Sequence, residues 1–313
     1  MKVAILDDVH RVYAGTAGVR RLMSRAEVHI FAEPFGHPSS LAGFEALIAN
    51  RERTTFTREL LYQLPDVRII AQTGNHAHHI DFEAARERGI VVAPASGGYS
   101  VGTAELALGL AIAVMRRISA SDAAVRRGRW DTPSTPVLHG KVCGIIGLGR
   151  IGRRVAQLAA AFGMRVIAWS PRLTGELATA AGTEQRSLEE LLQEADIVSV
   201  HASLTPASRG LIGGDQLRMM KPGAFLINTS RGALVDEAAL VNALRERSIA
   251  GAGLDVFAVE PLPAGHPFTT LDNVVLTPHL GWPTDQGYAQ FADAACDVLF
   301  AFMDGRDLPQ FHT

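Results

Sequence analysis

The chain has 313 residues, 47% of them hydrophobic and 20% charged, with a formal net charge of −2. This length exceeds what one hydrophobic core usually fills and predicts two domains, while the near-neutral charge argues against nucleic acid or an anionic membrane as a partner. Two cysteines cannot form a disulfide framework. Because the N-terminus lacks a signal-peptide core and the longest apolar run, 106–115, is too short to span a membrane, we expect a cytoplasmic protein.

Strand-like runs alternate with helical patterns through the first hundred residues. The candidate strands are KVAIL, AEVHIF, ALIAN, VRIIAQ and GIVVAP, and the helical patterns between them are AGVRRLMSR, TRELLYQL and DFEAARERG. This alternation predicts parallel strands joined by crossover helices. The first unit is therefore an α/β unit of about five strands.

After the turn-rich segment PASGGYS, a long apolar helix is predicted over 101–117, followed by an arginine-rich segment to Trp130. The alternation then restarts, with six strand candidates: KVCGIIG, MRVIAW, ADIVSVH, GAFLINTS, GAGLDVF and NVVLTPH. Ser187 and Glu190 form a predicted capping box, and Asp236 begins another helix. The segment 284–304 predicts a final amphipathic helix.

The sequence GIIGLGRIG places three glycines, Gly147, Gly149 and Gly152, between a strand and a helix. Such glycines permit a tight turn, close approach of a pyrophosphate and close packing of helix on strand. The helix N-terminus then offers free amides and the positive end of its dipole to phosphates. We therefore predict a dinucleotide-binding loop here.

Three polar residues follow three successive strands of the second unit: Arg231, Glu260 and His279. In open parallel sheets, ligands bind outside the carboxyl ends of the strands. A histidine, a carboxylate and an arginine at that edge combine a proton donor, its partner and an anion clamp. We predict that these three residues are catalytic.

The segments GLGRIG, MKPGAFLINTSRGALVDEAAL, GAGLDVFAVEPLP and NVVLTPHLG resemble the D-isomer-specific 2-hydroxyacid dehydrogenase family. Within the family, the chain is most similar to short glyoxylate/hydroxypyruvate reductases and phosphoglycerate dehydrogenase-like proteins. The resemblance implies two doubly wound domains: a flavodoxin-like substrate domain, 1–99 plus 283–313, and an inserted Rossmann dinucleotide domain, 100–282. It also implies a homodimer through the inserted domain, and the apolar helix near 101–130 is the expected contact.

The family's activity would be hydride transfer between a nicotinamide cofactor and a small 2-keto acid or D-2-hydroxy acid. In it, His279 acts as acid/base, Glu260 as its partner and Arg231 as the carboxylate clamp. The resemblance places substrate contacts at Arg51, Asn75 and His76. Besides the three glycines, it assigns cofactor contacts to Arg150, Ile151, Ser170, Arg172, His201, Ala202, Thr205, Thr229, Ser230, Asp255 and Gly281. A dinucleotide-sensing regulator on the same fold is the alternative function.

An acidic residue normally follows the second strand of a dinucleotide domain and binds the adenosine ribose of NAD. Here that position is Ser170, and Arg172 lies two residues further on. Without a repelling carboxylate and with an arginine nearby, the sequence favours NADP, with NAD or dual use as alternatives. The three nearby histidines 76, 78 and 79 lack cysteine or clustered carboxylate partners, so we predict no metal site.

Overall fold

The computed structural model describes residues 1–74, 77–96 and 100–311. The chain divides into two compact units, Met1–Tyr99 with Pro283–Thr313 and Ser100–Trp282.

The first unit is built on a five-stranded parallel sheet. Its strands are β1 (Lys2–Ile5), β2 (Glu27–Ile30), β3 (Ala46–Ala49), β4 (Ile69–Thr73) and β5 (Val91–Ala95), in the order β2-β1-β3-β4-β5. The crossover helices are α1 (Ala17–Met23), α2 (Arg58–Tyr62) and α3 (Phe82–Glu87). Each begins where a Thr or Asp side chain caps the first turn, at Thr16, Thr57 and Asp81. This strand order confirms the predicted flavodoxin-like unit.

The second unit opens with two helices, α4 (Ser100–Met115) and α5 (Ile118–Arg126). Seven parallel strands follow: β6 (Val142–Ile146), β7 (Arg165–Trp169), β8 (Glu184–Gln185), β9 (Ile197–Val200), β10 (Phe225–Asn228), β11 (Gly251–Leu254) and β12 (Val274–Leu276). The helices between them are α6 (Arg150–Ala161), α7 (Gly175–Ala180), α8 (Leu188–Glu194), α9 (Gly214–Met219) and α10 (Glu237–Arg245).

The strand order of the second sheet is β12-β11-β10-β9-β6-β7-β8. The chain winds outward from β6 in one direction through β7 and β8, and then in the other direction from β9 to β12. This is the Rossmann arrangement, which confirms the predicted fold, and its switch point lies between β6 and β9. Ligands of such sheets bind at that point, beyond the carboxyl ends of the strands.

Two elements of the second unit differ from the sequence prediction. Strand β8 has only two residues and both are exposed, so it carries no alternating pattern. The arginine-rich segment after α4 contains helix α5, which was not predicted. The predicted capping box of α8 is present, with Ser187 and Glu190 bonded reciprocally, and Asp236 caps α10.

Helix α4 packs within its own unit. It contacts α6, β10 and β11, and residues on several of its faces, including Ala104, Ala107, Leu110 and Val114, belong to the buried core. Packing inside the unit therefore accounts for much of the apolar character of α4, and the predicted dimer contact near 101–130 stays a prediction.

The last helix, α11 (Asp285–Met303), begins at the Thr284 cap and belongs to the first unit, where it packs on α1, β4 and β5. Both cysteines are buried thiols, and burial raises the pKa of Cys143 and of Cys296 to about 12. Among the described residues, no helix is both long enough and apolar enough to cross a membrane.

Candidate active site

The loop between β6 and α6, which contains Gly147 and Gly149 (the glycine loop), has the backbone conformation that its glycines predict. Gly147 has φ +98°, and an added Cβ would lie 2.5 Å from the Ala202 amide nitrogen. A Cβ on Gly152 would overlap the carbonyl oxygen of Gly147. Gly149 is the N-cap of α6, and no side chain caps the helix there. The space where a Cβ of Gly149 would lie is open. The first turn of α6 contains no acidic residue, so this N-terminus suits a phosphate group.

Ser170 occupies the position where an acidic residue is usual. Its Oγ accepts a hydrogen bond from the Leu148 amide at 2.8 Å, which ties the end of β7 to the glycine loop. The hydroxyl hydrogen is left to donate to a ligand. Arg172 lies in the exposed turn closed by the bond from Leu173 N to Ser170 O. Within the described residues, Arg172 has no ion-pair partner.

Two buried polar atoms beyond β9 and β10 lack partners among the residues that the structure describes: Nδ1 of His201 and Oγ1 of Thr229. The other ring nitrogen of His201, Nε2, is 2.8 Å from Ser199 Oγ. Burial lowers the pKa of His201 to about 4, so its imidazole is neutral at pH 7. Ser230 Oγ donates to Ala202 O at 2.7 Å and joins the two loops. Unpaired polar atoms beside the glycine loop are compatible with a polar ligand at this edge.

His279 and Glu260 form a direct pair. His279 Nδ1 lies 2.7 Å from Glu260 Oε2, and the two side chains are 32% and 36% exposed. The other carboxylate oxygen accepts from Phe257 N at 2.9 Å. Burial by itself raises the pKa of Glu260, but the His279 and Phe257 hydrogen bonds and the charges of His279 and Arg231 outweigh it and hold that pKa below its usual value. Glu260 is therefore a carboxylate at neutral pH.

Asp255, which directly follows β11, is fully buried and holds residues 277–281, the turn that carries His279 (the histidine turn). Its Oδ1 accepts from Thr277 Oγ1 at 2.6 Å and Leu280 N at 2.7 Å, and its Oδ2 accepts from Gly281 N at 2.9 Å. Its carbonyl accepts from His279 N at 2.9 Å. Burial raises the pKa of Asp255, and these hydrogen bonds oppose that rise. The structure thus gives Asp255 a role toward the histidine turn that the sequence did not indicate.

Arg231 follows β10 by three residues. Its carbonyl accepts from Asn228 Nδ2 at 3.0 Å, and its Nη1 donates to Ser230 O at 2.7 Å. A Cβ on the next residue, Gly232, would overlap the Phe257 carbonyl. The loop of Arg231 is therefore held closely against the segment that leads to Glu260, and Arg231 is one of the charges that lower the pKa of Glu260.

The other residues predicted to bind the cofactor lie on several elements of the second unit. Arg150 begins α6 and is exposed, Ile151 is half-buried, and Thr205 is exposed and bonded to Ser208. Gly281 lies on the histidine turn, where its amide bonds Asp255. Asn75 and His76 lie outside the described residues. No group of three or more histidine, cysteine or acidic residues suited to a metal ion occurs in the described ranges.

Arg51 belongs to the first unit, two residues beyond β3, with φ +58°. Its amide donates to Thr73 Oγ1 and its carbonyl accepts from Gln72 Nε2, each at 2.8 Å. The guanidinium carbon lies 5.4 Å from the centre of the Phe291 ring. Its predicted role toward substrate stays a prediction.

Comparison with known proteins agrees with this architecture. Residues 108–281 match the NAD binding domain of D-isomer specific 2-hydroxyacid dehydrogenases. The chain is 45% identical to a glyoxylate reductase of Aeropyrum pernix over 80% of this chain and 78% of that protein. It is 41% identical to a D-3-phosphoglycerate dehydrogenase of Methanocaldococcus jannaschii, over 75% of this chain but only 45% of that longer protein. The solved apo-structure of Escherichia coli D-lactate dehydrogenase superposes with a TM-score of 0.88, at 26% identity and over 99% of each chain.

The fold and the matched domain are those of a nicotinamide-dinucleotide oxidoreductase. The chain belongs to the D-isomer specific 2-hydroxyacid dehydrogenase family, as its sequence predicted, and it is an enzyme of that class.

Proposed function

We propose that this enzyme reduces a small 2-keto acid to the D-2-hydroxy acid, with His279 as the proton donor. The observation that carries the proposal is the 2.7 Å contact between His279 Nδ1 and Glu260 Oε2, on the same parallel sheet whose first strand leads into the glycine loop. A histidine held by a carboxylate is a common arrangement for acid–base catalysis near neutral pH.

Glu260 orients the ring through its 2.7 Å contact with Nδ1. With Nδ1 directed at Glu260, Nε2 is the nitrogen that faces the substrate oxygen. The imidazolium would give its proton to the oxygen at C2 during reduction, and the imidazole would remove that proton during oxidation. Arg231 would hold the substrate carboxylate through the two-pronged contact that a guanidinium forms.

A bound nicotinamide dinucleotide would supply or accept the hydride. The glycine loop and the N-terminus of α6 would hold its phosphates, while His201 and Thr229 offer buried polar atoms without partners among the described residues. We propose NADP as the preferred cofactor. Ser170 leaves a hydroxyl hydrogen free, and Arg172 is exposed two residues away.

The cofactor proposal is tested by kcat/KM for NADPH and NADH in wild type, Ser170→Asp and Arg172→Ala. An added repelling carboxylate and a lost arginine should each reduce the preference for NADPH by about 5- to 30-fold, equivalent to about 1–2 kcal/mol. Arg154→Ala, an exposed arginine of α6, is the control. A wild type that prefers NADH and is unaffected by Arg172→Ala would contradict the proposal.

The function is tested with a panel of 2-keto acids, including glyoxylate, hydroxypyruvate and pyruvate, each assayed with both reduced cofactors. Consumption of the cofactor with at least one keto acid, and formation of the D-product, is the expected result. Tight cofactor binding without turnover on any member would favour the dinucleotide-sensing alternative.

We also propose a homodimer, formed through the surface around α5. Ile118, Val125 and Trp130 are large apolar residues of this region that are 50%, 51% and 83% exposed, and exposed apolar patches of this kind often mark association surfaces. Light scattering at micromolar concentration should give the mass of two chains, and a monomer would contradict the proposal.

A further inference from the structure

His279 has an unusual backbone conformation. Its φ is +56°, in the left-handed region, which is unfavourable for a residue with a side chain. Such a conformation persists only where neighbouring groups hold it. Asp255 supplies part of this hold, because its carboxylate binds the Leu280 and Gly281 amides and the Thr277 hydroxyl.

The carbonyl of Gly281 is held from a different element. Thr103, in the first turn of α4, donates a hydrogen bond from Oγ1 to Gly281 O at 2.7 Å, across 178 residues of sequence. Thr103 is 8% exposed. Its methyl group is also close, since a Cβ built on Gly281 would lie 3.1 Å from Thr103 Cγ2.

Asp255 and Thr103 therefore bind the two polar backbone groups of Gly281, its amide and its carbonyl. The carboxylate accepts from amides and can restrain only the donors of the turn. Thr103 provides a donor for the carbonyl of Gly281, a group that no carboxylate can bind. Helix α4 is itself fixed in the core by Ala104 and Ala107, so the Thr103 hydroxyl is a fixed reference point for the turn.

We propose that Thr103 is a positioning residue for His279, acting through the carbonyl of Gly281. This inference rests on the proposed function, in which His279 delivers the proton. Without the hydroxyl, the Gly281 carbonyl loses a buried donor, and of the two side chains that bind Gly281 only Asp255 still holds it. The imidazole then moves relative to the substrate oxygen, and proton transfer is sensitive to such displacement.

The test compares Thr103→Val, which keeps the shape but removes the hydroxyl, with Thr103→Ser, which keeps the hydroxyl. The valine variant should lose about tenfold or more in kcat, because misplacement by about 1 Å can cost up to about 100-fold. Its Kd for the reduced cofactor should remain within twofold of wild type, and the serine variant should restore most of kcat. Thermal unfolding checks that each variant is folded, and Thr103→Ala replaces the valine variant if that one does not fold.

Thr183→Val is the matched control. Thr183 is 6% exposed in the same unit, and its hydroxyl donates to Ala178 O at 3.1 Å, away from the histidine turn. It should lose stability without a specific loss of kcat.

Three results would overturn the inference: a valine variant with kcat within twofold of wild type, a serine variant as impaired as the valine variant, or a valine variant whose main change is a weaker Kd for the cofactor. The last result would place Thr103 on the cofactor instead. If His279→Ala itself keeps wild-type turnover, the proposed function fails, whereas a normal Thr103→Val beside an inactive His279→Ala rejects only this inference.

Discussion

Arg51 and His279 occupy similar positions in two different units. Each follows a parallel strand at the carboxyl edge of its sheet, and each has a left-handed backbone, with φ of +58° and +56°. Arg51 is held by neutral groups, the Thr73 hydroxyl and the Gln72 amide. The turn that carries His279 is held by the ionisable carboxylate of Asp255 and, at the Gly281 carbonyl, by the Thr103 hydroxyl.

The difference shows two ways of stabilising the same strained backbone. A carboxylate has several acceptor sites and forms stronger hydrogen bonds than a neutral oxygen, so one side chain holds three donors of the histidine turn. Burial disfavours the ionised form of a carboxylate, and it raises the pKa of Asp255. Neutral anchors hold fewer groups but do not depend on ionisation.

The largest effect should come from the residue that the histidine turn presents. His279→Ala should lower kcat for keto-acid reduction by about 10²–10⁴-fold, the usual loss when a positioned acid–base group is removed. Cofactor binding, measured by fluorescence titration, should survive because the imidazole acts on the substrate proton. His37→Ala, an exposed histidine of the first unit, is the control. Near-normal turnover in the His279 variant would remove this residue from the mechanism.

Exchanging the carboxylate and the amide tests whether each anchor stabilises the turn that it binds. Asp255→Asn places an amide among three donors, and Gln72→Glu places a carboxylate against the carbonyls of Arg51 and Thr73. Each should lower the free energy of unfolding by about 1–3 kcal/mol, the typical cost of leaving buried polar groups unsatisfied. Urea denaturation measures this loss.

Of these two variants, only Asp255→Asn should also lower kcat, because Asp255 holds the histidine turn and Gln72 does not. If either isosteric exchange left stability within about 0.5 kcal/mol of wild type, as a neutral surface substitution does, the proposed importance of that anchor would be wrong.

Arg231→Lys keeps the positive charge but loses the planar fork. We expect kcat/KM for the best keto acid to fall more than about threefold, because lysine cannot form the two-pronged contact with a carboxylate. Arg218→Lys, an exposed arginine paired with Asp215, serves as the control. A fall in kcat/KM of less than about threefold in Arg231→Lys would contradict the assignment of Arg231 as the carboxylate clamp.

The smallest effect is a change in pH dependence. Glu260→Gln tests it, because this variant keeps the shape of the side chain but removes the carboxylate that contacts His279 Nδ1.

The same variant changes the acid side of the stability profile. The pKa of Glu260 lies below its ordinary value in the folded protein, so its stabilising contribution is present above the ordinary carboxyl pKa and is lost as pH falls through the lowered one. Thermal unfolding between pH 3 and pH 7, roughly the range in which carboxyl groups titrate, should show this dependence in wild type and less of it in the glutamine variant.

Local sequence signals were sufficient for most of the secondary structure. Strands such as β3 are runs of buried apolar residues, and helices α8 and α10 begin at the predicted caps Ser187 and Asp236. The glycine loop could be recognised from the sequence, because positions with no room for a side chain are occupied by glycine. Strand β8 could not be found, since two exposed residues carry no period.

Only the tertiary structure showed how the site is held together. The sequence by itself determined which residue types follow each strand. Because the strands are parallel, Arg231, Glu260 and His279 all lie at the carboxyl edge of the same sheet. The sequence did not indicate that Asp255 binds the histidine turn or that Thr103 reaches Gly281, because a hydrogen bond between residues 178 positions apart has no local pattern. It also did not show that the apolar faces of α4 are buried within their own unit. Such contacts depend on the packing of distant segments, and a hydrophobic pattern records that a face is buried without recording which surface covers it.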